Sequence, residues 1–323
     1  MKTAHFVFAC SLSVMAAHAS AQSADYPNRP VRVVIGFAPG GAADTVARLM
    51  SEAFSKALKQ TVVVENKPGA GSSIAADYVV KAPPDGYTLL IASPSSISIN
   101  PALNPNTTYT SKDLKAVTKI TTSPLVLAVN TKTDIKTVAD LIKTAKAKPG
   151  FLNYATSGNG SAPHLGAALF TLLTDTKMTH VPYRGGAPAI QSVMAGDTHL
   201  SFGTATSVLA QVDSGKLRAI AVSTKENSAL VPNLPGMREA GLPEYNLEFW
   251  YGIFVPVNTP APVVQKIYDA AVIAMSDPKV KTALAREGTE TSVSKSPQDF
   301  SKFLVKDEEF WVKLAKNANI VVN

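Results

Sequence analysis

The sequence GFAPGGAADTVAR at residues 36–48 decides the fold of this chain. The β-branched run Pro30–Ile35 before it has the composition of a strand. After it, apolar residues recur at i, i+3, i+4 and i+7 as far as Leu58, which is typical of an amphipathic helix. A strand that enters a helix through Gly40 and Gly41 presents bare N–H groups and the positive end of the helix dipole, which favour a carboxylate or a phosphate. The alternative interpretation is a tight turn that needs glycine for its backbone angles.

The composition is that of a globular protein. A length of 323 residues suffices for two domains of ordinary size, and 46% hydrophobic against 17% charged residues excludes a disordered chain. The net charge of +7 suits an anionic small ligand. Basic residues are not interleaved with aromatic ones as they are in nucleic-acid-binding modules, so we expect no nucleic-acid partner.

The first 21 residues have the pattern of a signal peptide. Lys2 supplies the positive charge, Phe6–Ala17 the apolar segment, and Ala19-Ser20-Ala21 the small-residue cleavage site, so we predict cleavage after Ala21 and export to the periplasm. The one cysteine, Cys10, lies in this segment, where lipidation is the alternative interpretation. A mature chain without cysteine forms no disulfide and has no thiol nucleophile.

Strands and helices alternate along the rest of the chain, which predicts an α/β fold. Residues 31–92 read as a βαβαβ unit with a parallel sheet, and a second series of strands and helices opens at Leu152. The intervening residues 93–106, rich in Ser, Asn and Pro, are predicted to loop over the surface.

Glycine-rich loops follow the strands of both series. Because ligands bind at the carboxyl ends of strands in open α/β sheets, we expect two lobes that face each other across a ligand cleft. The chain would cross between the lobes near residues 124–129 and 249–255. This predicts a discontinuous first lobe, residues 22–123 plus 256–323, and a second lobe at residues 124–255.

Enzyme and cofactor signatures are missing from the sequence. It has no Walker loop and no Gly-x-Ser-x-Gly elbow. The stretch Gly69–Gly71 begins like a dinucleotide fingerprint, but Ile74 stands where the third glycine belongs. His164, His180 and His199 lie far apart in sequence and lack the spacing of metal ligands. We therefore expect no metal, no cofactor and no catalytic residue.

Two side chains beside the predicted loops have both a structural and a functional interpretation. Asp44, in the first turn of its helix, can complement the helix dipole and cap Gly41, or it can select a ligand amine or hold a water molecule. His164 opens a helix after a glycine-rich loop, where it could donate a hydrogen bond to a carboxylate. Arg48 is expected to pair with surface acids, whereas Arg184 either faces the cleft or lies in solvent.

With these loops in place, the chain resembles the periplasmic solute receptors of tripartite tricarboxylate transporters, the Bug receptors. The resemblance runs from about Tyr26 to the C-terminus. It rests on a series of short motifs in a fixed order: Tyr26–Pro30, Phe37–Gly41 with Asp44 and Arg48, Asn66–Gly71, Pro84–Leu90, His180–Pro188, Ala240–Pro243 and Trp250–Gly252.

The resemblance implies a type II periplasmic-binding-protein fold, in which two α/β lobes close over a ligand held by a loop from each lobe. The family's ligands are di- or tricarboxylates, acidic amino acids or aromatic acids. The ligand-binding residues that it implies in the first lobe are Phe37, Ala38, Gly40, Gly41, Asp44 and Ser93. Those in the second lobe are Ser157, Gly158, Gly160, His164, Tyr183, Gly185, Gly186 and Thr204.

Three residues depart from the family pattern. Gly36 stands where proline is frequent, and Ser72 where a further glycine is common. Gly203 replaces an aspartate that is often found before the polar residue at the end of the strand. The third change removes a charge near the cleft, so it bears on the chemical type of the ligand.

The expected function is therefore capture of a small carboxylate in the periplasm and its delivery to the membrane permease subunits of the transporter, by a monomer. One alternative is a receptor that presents its closed form to a membrane sensor kinase. The other is a secreted hydrolase or lyase, which the absence of a nucleophile–base pair disfavours.

Overall fold

Strand β1 (Val31–Ile35) lies at the centre of a parallel group of three strands in the computed structural model, which describes residues 26–318 and residue 320. It is flanked by β2 (Val62–Asn66) and β3 (Thr88–Ala92). Helix α1 (Ala42–Leu58) connects β1 to β2, and α2 (Ser73–Val80) leads to β3. The βαβαβ unit predicted for this part of the chain is confirmed.

One long strand, β4 (Leu114–Asn130), runs through both halves of the molecule. As far as Pro124 it pairs with β9 (Glu248–Pro256), which also lies antiparallel to β3. From Leu125 onward it pairs with strands of the other half. The sequence predicted only residues 124–129 as a strand, because polar side chains interrupt the apolar run before Pro124.

The second half repeats the alternation of the first. After α4 (Val138–Ala147), strand β5 (Asn153–Thr156) pairs in parallel with its neighbours on both sides. The elements that follow are α5 (Ala162–Thr174), β6 (Thr179–Pro182), α6 (Gly186–Ala195), β7 (Leu200–Thr204), α7 (Ala205–Asp213) and β8 (Leu217–Val222). Both β7 and β8 lie antiparallel to β4.

The prediction of a surface loop at residues 93–106 is wrong for its first part. Residues 93–100 are buried, and Ser95–Ile99 form a π-helical turn that continues into α3 (Asn100–Leu103). Tyr109 donates a hydrogen bond to the backbone oxygen of Ser96 at 2.7 Å. The composition is that of a loop, but the segment is buried, and its Ile99 and Asn100 lie close to Gly160 of the other half.

Three helices follow β9 in the chain. Helix α8 (Ala261–Ser276) packs on α1, α9 (Pro278–Arg286) packs on both, and α10 (Pro297–Asn317) lies against the π-helical turn and β4. A two-residue strand, β10 (Glu290–Thr291), adds to the edge of β4. The residue bounds of the two lobes remain a prediction.

The predicted signal peptide, with Cys10 and the cleavage site after Ala21, lies outside the described residues. Within the described part of the chain, none of the helices is both long and apolar enough to span a bilayer.

Candidate functional site

A narrow cavity lies between the two lobes, and the centres of water molecules can occupy about 20 Å³ of it. The first lobe and the strand β9 contribute Phe37, Ala42, Ala43, Ser95, Phe249 and Tyr251 to its wall. The second lobe contributes Ser157, Ala162, Pro163, Gly186, Ala189, Ile190, Ser201, Gly203 and Thr204.

Four helices begin at this cavity. Residues of the first turns of α1, α5 and α6 line it, and so does Thr204, which immediately precedes α7. The first N–H groups of a helix have no acceptor within the helix, and the aligned peptide dipoles place a partial positive charge there. Backbone groups at these helix starts therefore favour a negative charge in the cavity, with α1 on one side and the three other helices opposite.

Hydroxyl groups supply the polar part of the wall. Ser95 is only 1% exposed, and its Oγ has no hydrogen-bond partner among the described residues. Thr204 donates its hydroxyl hydrogen to Ser207 Oγ at 2.9 Å, so the oxygen of Thr204 stays free to accept. Burial raises the pKa of the Tyr251 phenol, although the N–H of Ala43 opposes that shift. These groups can therefore donate to and accept from a neutral or anionic ligand.

Hydrogen bonds to the carboxylate of Asp44 hold the loop before α1 in place. One carboxylate oxygen accepts hydrogen bonds from the backbone N–H of Gly40 at 3.0 Å and from Arg48 Nε at 2.9 Å. The other accepts one from Asn66 Nδ2 at 3.0 Å. Burial opposes ionisation of Asp44, but these hydrogen bonds outweigh it and hold the pKa below its ordinary value.

Asp44 therefore closes the loop in the manner of a helix cap, through Gly40 rather than Gly41, and it does not line the cavity. Its proposed contact with the ligand remains a prediction. Arg48 pairs with Asp44 and not with surface acids, so that expectation is wrong. The spacing was a usable signal, since residues four apart on a helix are neighbours and Asp44 and Arg48 have opposite charges.

His164 lies behind the loop of the second lobe. Its Nδ1 accepts a hydrogen bond from the N–H of Gly160 at 3.2 Å, and its ring stacks on that of His180 with centroids 3.9 Å apart. Burial, helped by the neighbouring ring, lowers the pKa of His164 to about 3, and burial lowers that of His180 to about 4. Both rings are therefore neutral at pH 7 and support the loop at residues 157–160.

The two lobes touch directly beside the cavity. The N–H of Ala38 in the first lobe donates to the carbonyl oxygen of Arg184 in the second at 3.3 Å. Gly160 has φ +65°, and a Cβ atom there would lie 2.2 Å from Asn100 Oδ1 of the opposite lobe. Glycine is thus required at position 160 both by the backbone angle and by the closeness of the lobes. The molecule is in a closed arrangement.

A second space of about 190 Å³ adjoins the cavity at Ser157. Its wall includes Gly36, residues 69–72, Gly158 and residues 182–184. Two departures from the family pattern meet here, because a Cβ atom at Gly36 would lie 1.9 Å from Ser72 Oγ. A serine at position 72 thus requires the glycine at position 36.

The residues implied by the family resemblance fall into three groups. Phe37, Ser157, Gly186 and Thr204 line the cavity. Gly158 and Tyr183 line the adjoining space. Arg184, which the resemblance does not imply, lines the same space. The remaining ones, which line neither, are Ala38, Gly40, Gly41, Asp44, Ser93, Gly160, His164 and Gly185.

Several lining residues are not among those that the sequence predicts for the site. Ser95 lies in the segment predicted as a surface loop, and Phe249 and Tyr251 lie in the predicted crossing between the lobes. The alternation along β9 was a usable signal, since these two residues share one face of a strand that was predicted to lie between the lobes. No group of three or more potential metal ligands occurs among residues 26–318.

Comparison with known proteins gives consistent matches over almost the whole chain. Residues 46–320 match the family model described as "Tripartite tricarboxylate transporter family receptor". The chain is 32% identical to the protein BugT of Bordetella pertussis over 297 residues, 91% of each chain.

Solved structures agree in fold. The R. palustris protein Rpa4515, solved with adipate, superimposes with a TM-score of 0.88 at 32% identity, covering 92% of this chain and 99% of that one. MatC from Rhodopseudomonas palustris, solved with bound malate, gives a TM-score of 0.85 at 30% identity and covers 90% and 99%. The predicted two-lobed α/β fold of periplasmic binding proteins is thereby confirmed.

Proposed function

Because the chain belongs to the tripartite tricarboxylate transporter receptor family, we propose that it captures a small carboxylate and delivers it to the permease subunits of such a transporter. It is a solute-binding receptor, as its solved relatives are, and not an enzyme. The proposal includes a monomeric receptor that is exported to the periplasm and cleaved after Ala21.

One observation carries the choice of a carboxylate. Four helices of 9 to 17 residues begin at a cavity that Ser95 also lines, and the Ser95 hydroxyl has no hydrogen-bond partner among the described residues. A carboxylate, like other small oxyanions, accepts hydrogen bonds from such N–H groups and from a hydroxyl, and it is stabilised by the helix dipoles. The adipate and malate of the two solved relatives support the same choice.

A thermal-shift screen of the mature protein tests this proposal. The screen compares mono-, di- and tricarboxylates with neutral sugars and with inorganic cations. A ligand that binds only the folded state at 100 times its Kd stabilises that state by about 2.7 kcal/mol, so at least one carboxylate should raise the Tm. Stabilisation by sugars or cations alone would contradict the proposal.

A further inference from the structure

We propose that the second lobe carries a further binding site, distant from the cleft, for a small organic acid with an apolar body. The site is a cavity at the outer end of the lobe, where the centres of water molecules can occupy about 430 Å³. Three segments form its wall: the turn after β4, the end of α4 with the residues that follow it, and the turn before β7.

This outer cavity lies at the end of β7 that is opposite the cleft. His199, which lines it, directly precedes the strand, whereas Thr204 at the other end of the strand lines the cleft. A strand of five residues is about 16 Å long, so one small ligand does not reach both cavities. The whole wall comes from residues 130–199, so a ligand bound here would not bridge the two lobes.

His199 offers a hydrogen-bond donor to such a ligand. Its Nδ1 accepts a hydrogen bond from the backbone N–H of Asn153 at 2.9 Å. Burial lowers the pKa of the ring below its ordinary value, so the ring is neutral at pH 7 and carries its one proton on Nε2. This N–H has no acceptor among the described residues, so it can donate to a carboxylate.

The charge of the wall favours an anion. Lys132 and Lys148 are exposed and line the outer cavity, and neither forms an ion pair with a described residue. Asp134 is the one acidic side chain that lines it in the described part of the chain. Residues 130–151 contain five lysines and two aspartates, so an anion is attracted to this end of the lobe.

The apolar part of the wall adjoins this charge. Phe151 is 51% exposed, and its ring centroid lies 5.0 Å from that of His199. The ammonium group of Lys148 lies 5.1 Å from the centroid of Phe151. Buried Ile135 and Leu152 also line the cavity. A positive charge beside apolar surface suits an acid whose carboxylate is attached to a hydrocarbon body.

Hydrogen bonds hold the turn after β4 in a fixed shape. Asn130 Oδ1 accepts a hydrogen bond from the N–H of Lys132 at 2.7 Å, and Asn130 Nδ2 donates one to the carbonyl oxygen of Val193 at 2.5 Å. Arg218 donates another to the carbonyl oxygen of Ile135 at 3.0 Å. A wall that is formed in advance loses little freedom when it binds a ligand.

Histidine NMR with benzoate as the probe tests the location. After the predicted cleavage, His164, His180 and His199 are the three histidines of the chain. Benzoate added to the mature protein labelled with nitrogen-15 histidine at pH 7.5 should move the ring signals of His199 saturably, with a Kd of about 1 mM. If these signals do not move at about 20 times that concentration, the inference is overturned, whether or not those of His164 and His180 report binding in the cleft.

Two further probes test the chemical class. Acetate has the charge without the apolar body, and benzyl alcohol has the body without the charge. Each should bind at His199 at least about tenfold more weakly than benzoate, because each lacks one of the two interactions. Equal affinity of either probe would overturn the inference.

Matched variants test the contacts. Phe151→Ala is compared with Phe310→Ala, which removes another exposed ring on α10, and Lys148→Gln with Lys146→Gln, an exposed lysine of α4 that does not line the cavity. Phe151→Ala and Lys148→Gln should each weaken benzoate binding at His199 at least about threefold, whereas the two controls should leave it unchanged. Equal affinities within either pair would show that these side chains do not contact the acid and would overturn the inference.

Discussion

At the scale of a single residue, the hydroxyl of Ser95 offers the clearest test of the proposed site. Its side chain is buried and its Oγ lacks a partner among the described residues, which is unfavourable for stability. We propose that this hydroxyl, on a residue that lines the cavity, donates a hydrogen bond to the ligand.

We expect Ser95→Ala to weaken carboxylate binding by about tenfold, since one hydrogen bond to a charged group contributes roughly 1.5 kcal/mol. Stability should stay the same or rise, because an unsatisfied buried oxygen is removed. The matched control is Ser96→Ala, because the Ser96 hydroxyl is also buried and has no partner in the described part of the chain, but Ser96 does not line the cavity. Calorimetry and urea unfolding measure both quantities. Equal losses of affinity in the two variants would contradict the assignment.

At the scale of single residues, some parts of the site can be predicted from the sequence and others cannot. The turn at Gly40 and Gly41, and the loop at Ser157, follow directly from glycine placed between a strand and a helix. Ser95 could not be found in this way, because a serine among Ser, Asn and Pro has no periodicity that distinguishes a buried turn from a loop. Its burial depends on the opposite lobe, which is distant in sequence.

At the scale of elements, the stacked pair His164 and His180 holds the loop between β5 and α5. Their pKa values, about 3 and about 4, lie below the ordinary value of 6.5 because burial disfavours the charged ring. Between the folded pKa values and 6.5, the unfolded chain thus binds more protons than the folded one. The stability that the pair contributes is complete above pH 6.5 and is lost as the pH falls toward 4.

We expect His164→Asn to reduce this loss by roughly 3 kcal/mol at pH 4, since each unit of pKa shift corresponds to about 1.4 kcal/mol. The amide oxygen can replace Nδ1 as the acceptor for Gly160, so the loop keeps its hydrogen bond. Urea unfolding at pH values from 4 to 7.5 gives the comparison. An unchanged dependence on pH in the variant would show that His164 does not titrate in this way.

A second titrating group connects the helix α10 to the wall of the cavity. Asp307 accepts hydrogen bonds from Trp250 Nε1 at 2.9 Å, Trp311 Nε1 at 3.1 Å and Ser98 Oγ at 3.2 Å. Trp250 precedes Tyr251 on β9, and Ser98 lies in the same π-helical turn as Ser95. Burial raises the pKa of Asp307 to about 6, although its hydrogen bonds and Lys119 oppose this shift.

Because the folded state binds this proton more tightly than the unfolded chain, stability falls as the pH rises from about 4 to 6. We expect Asp307→Asn to remove that fall and to raise the free energy of unfolding at pH 7.5 by roughly 2–3 kcal/mol, with little change at pH 4. Both indoles can still donate to the amide oxygen. The control is Glu309→Gln, an exposed acid on the same helix. Destabilisation of Asp307→Asn at both pH values would contradict the prediction.

The elements themselves were largely predictable from the chain, and the exceptions have a physical cause. The helix from Ala42 to Leu58 carries a regular apolar stripe, and the sequence predicts it at about residues 41–59, one residue longer at each end. The first half of β4 was missed because it lies between two strands that supply its hydrogen bonds from far along the chain. Such pairing stabilises a strand of weak local preference.

At the scale of the whole molecule, the closed arrangement depends on contact between the loops of the two lobes. The hydrogen bond from Ala38 to Arg184 joins them, and Gly41 faces the start of α6. A ligand that bridges the lobes adds contacts that exist only when they are closed, so it increases the closed population. Binding and closure should therefore be lost together when this contact is blocked.

Gly41 allows a graded test of that link. Its φ of −84° suits any residue, and a Cβ atom would lie 3.4 Å from Ala38 O and 3.8 Å from the backbone nitrogen of Gly186, which are ordinary contacts. Gly41→Ala should thus bind and close as the wild type does. The larger side chain of Gly41→Leu would reach the backbone of the opposite lobe, so we expect no measurable binding.

Small-angle X-ray scattering with and without a carboxylate found by the thermal-shift screen measures closure. The radius of gyration should fall on addition of ligand for the wild type and for Gly41→Ala, but not for Gly41→Leu. Urea unfolding checks that Gly41→Leu is folded, which we expect because the substitution affects the space between the lobes and not their cores. If Gly41→Leu retained wild-type affinity and closed normally, the helix start at residues 41–43 would not contact the ligand, and the site would have to lie in the adjoining space beside Gly158.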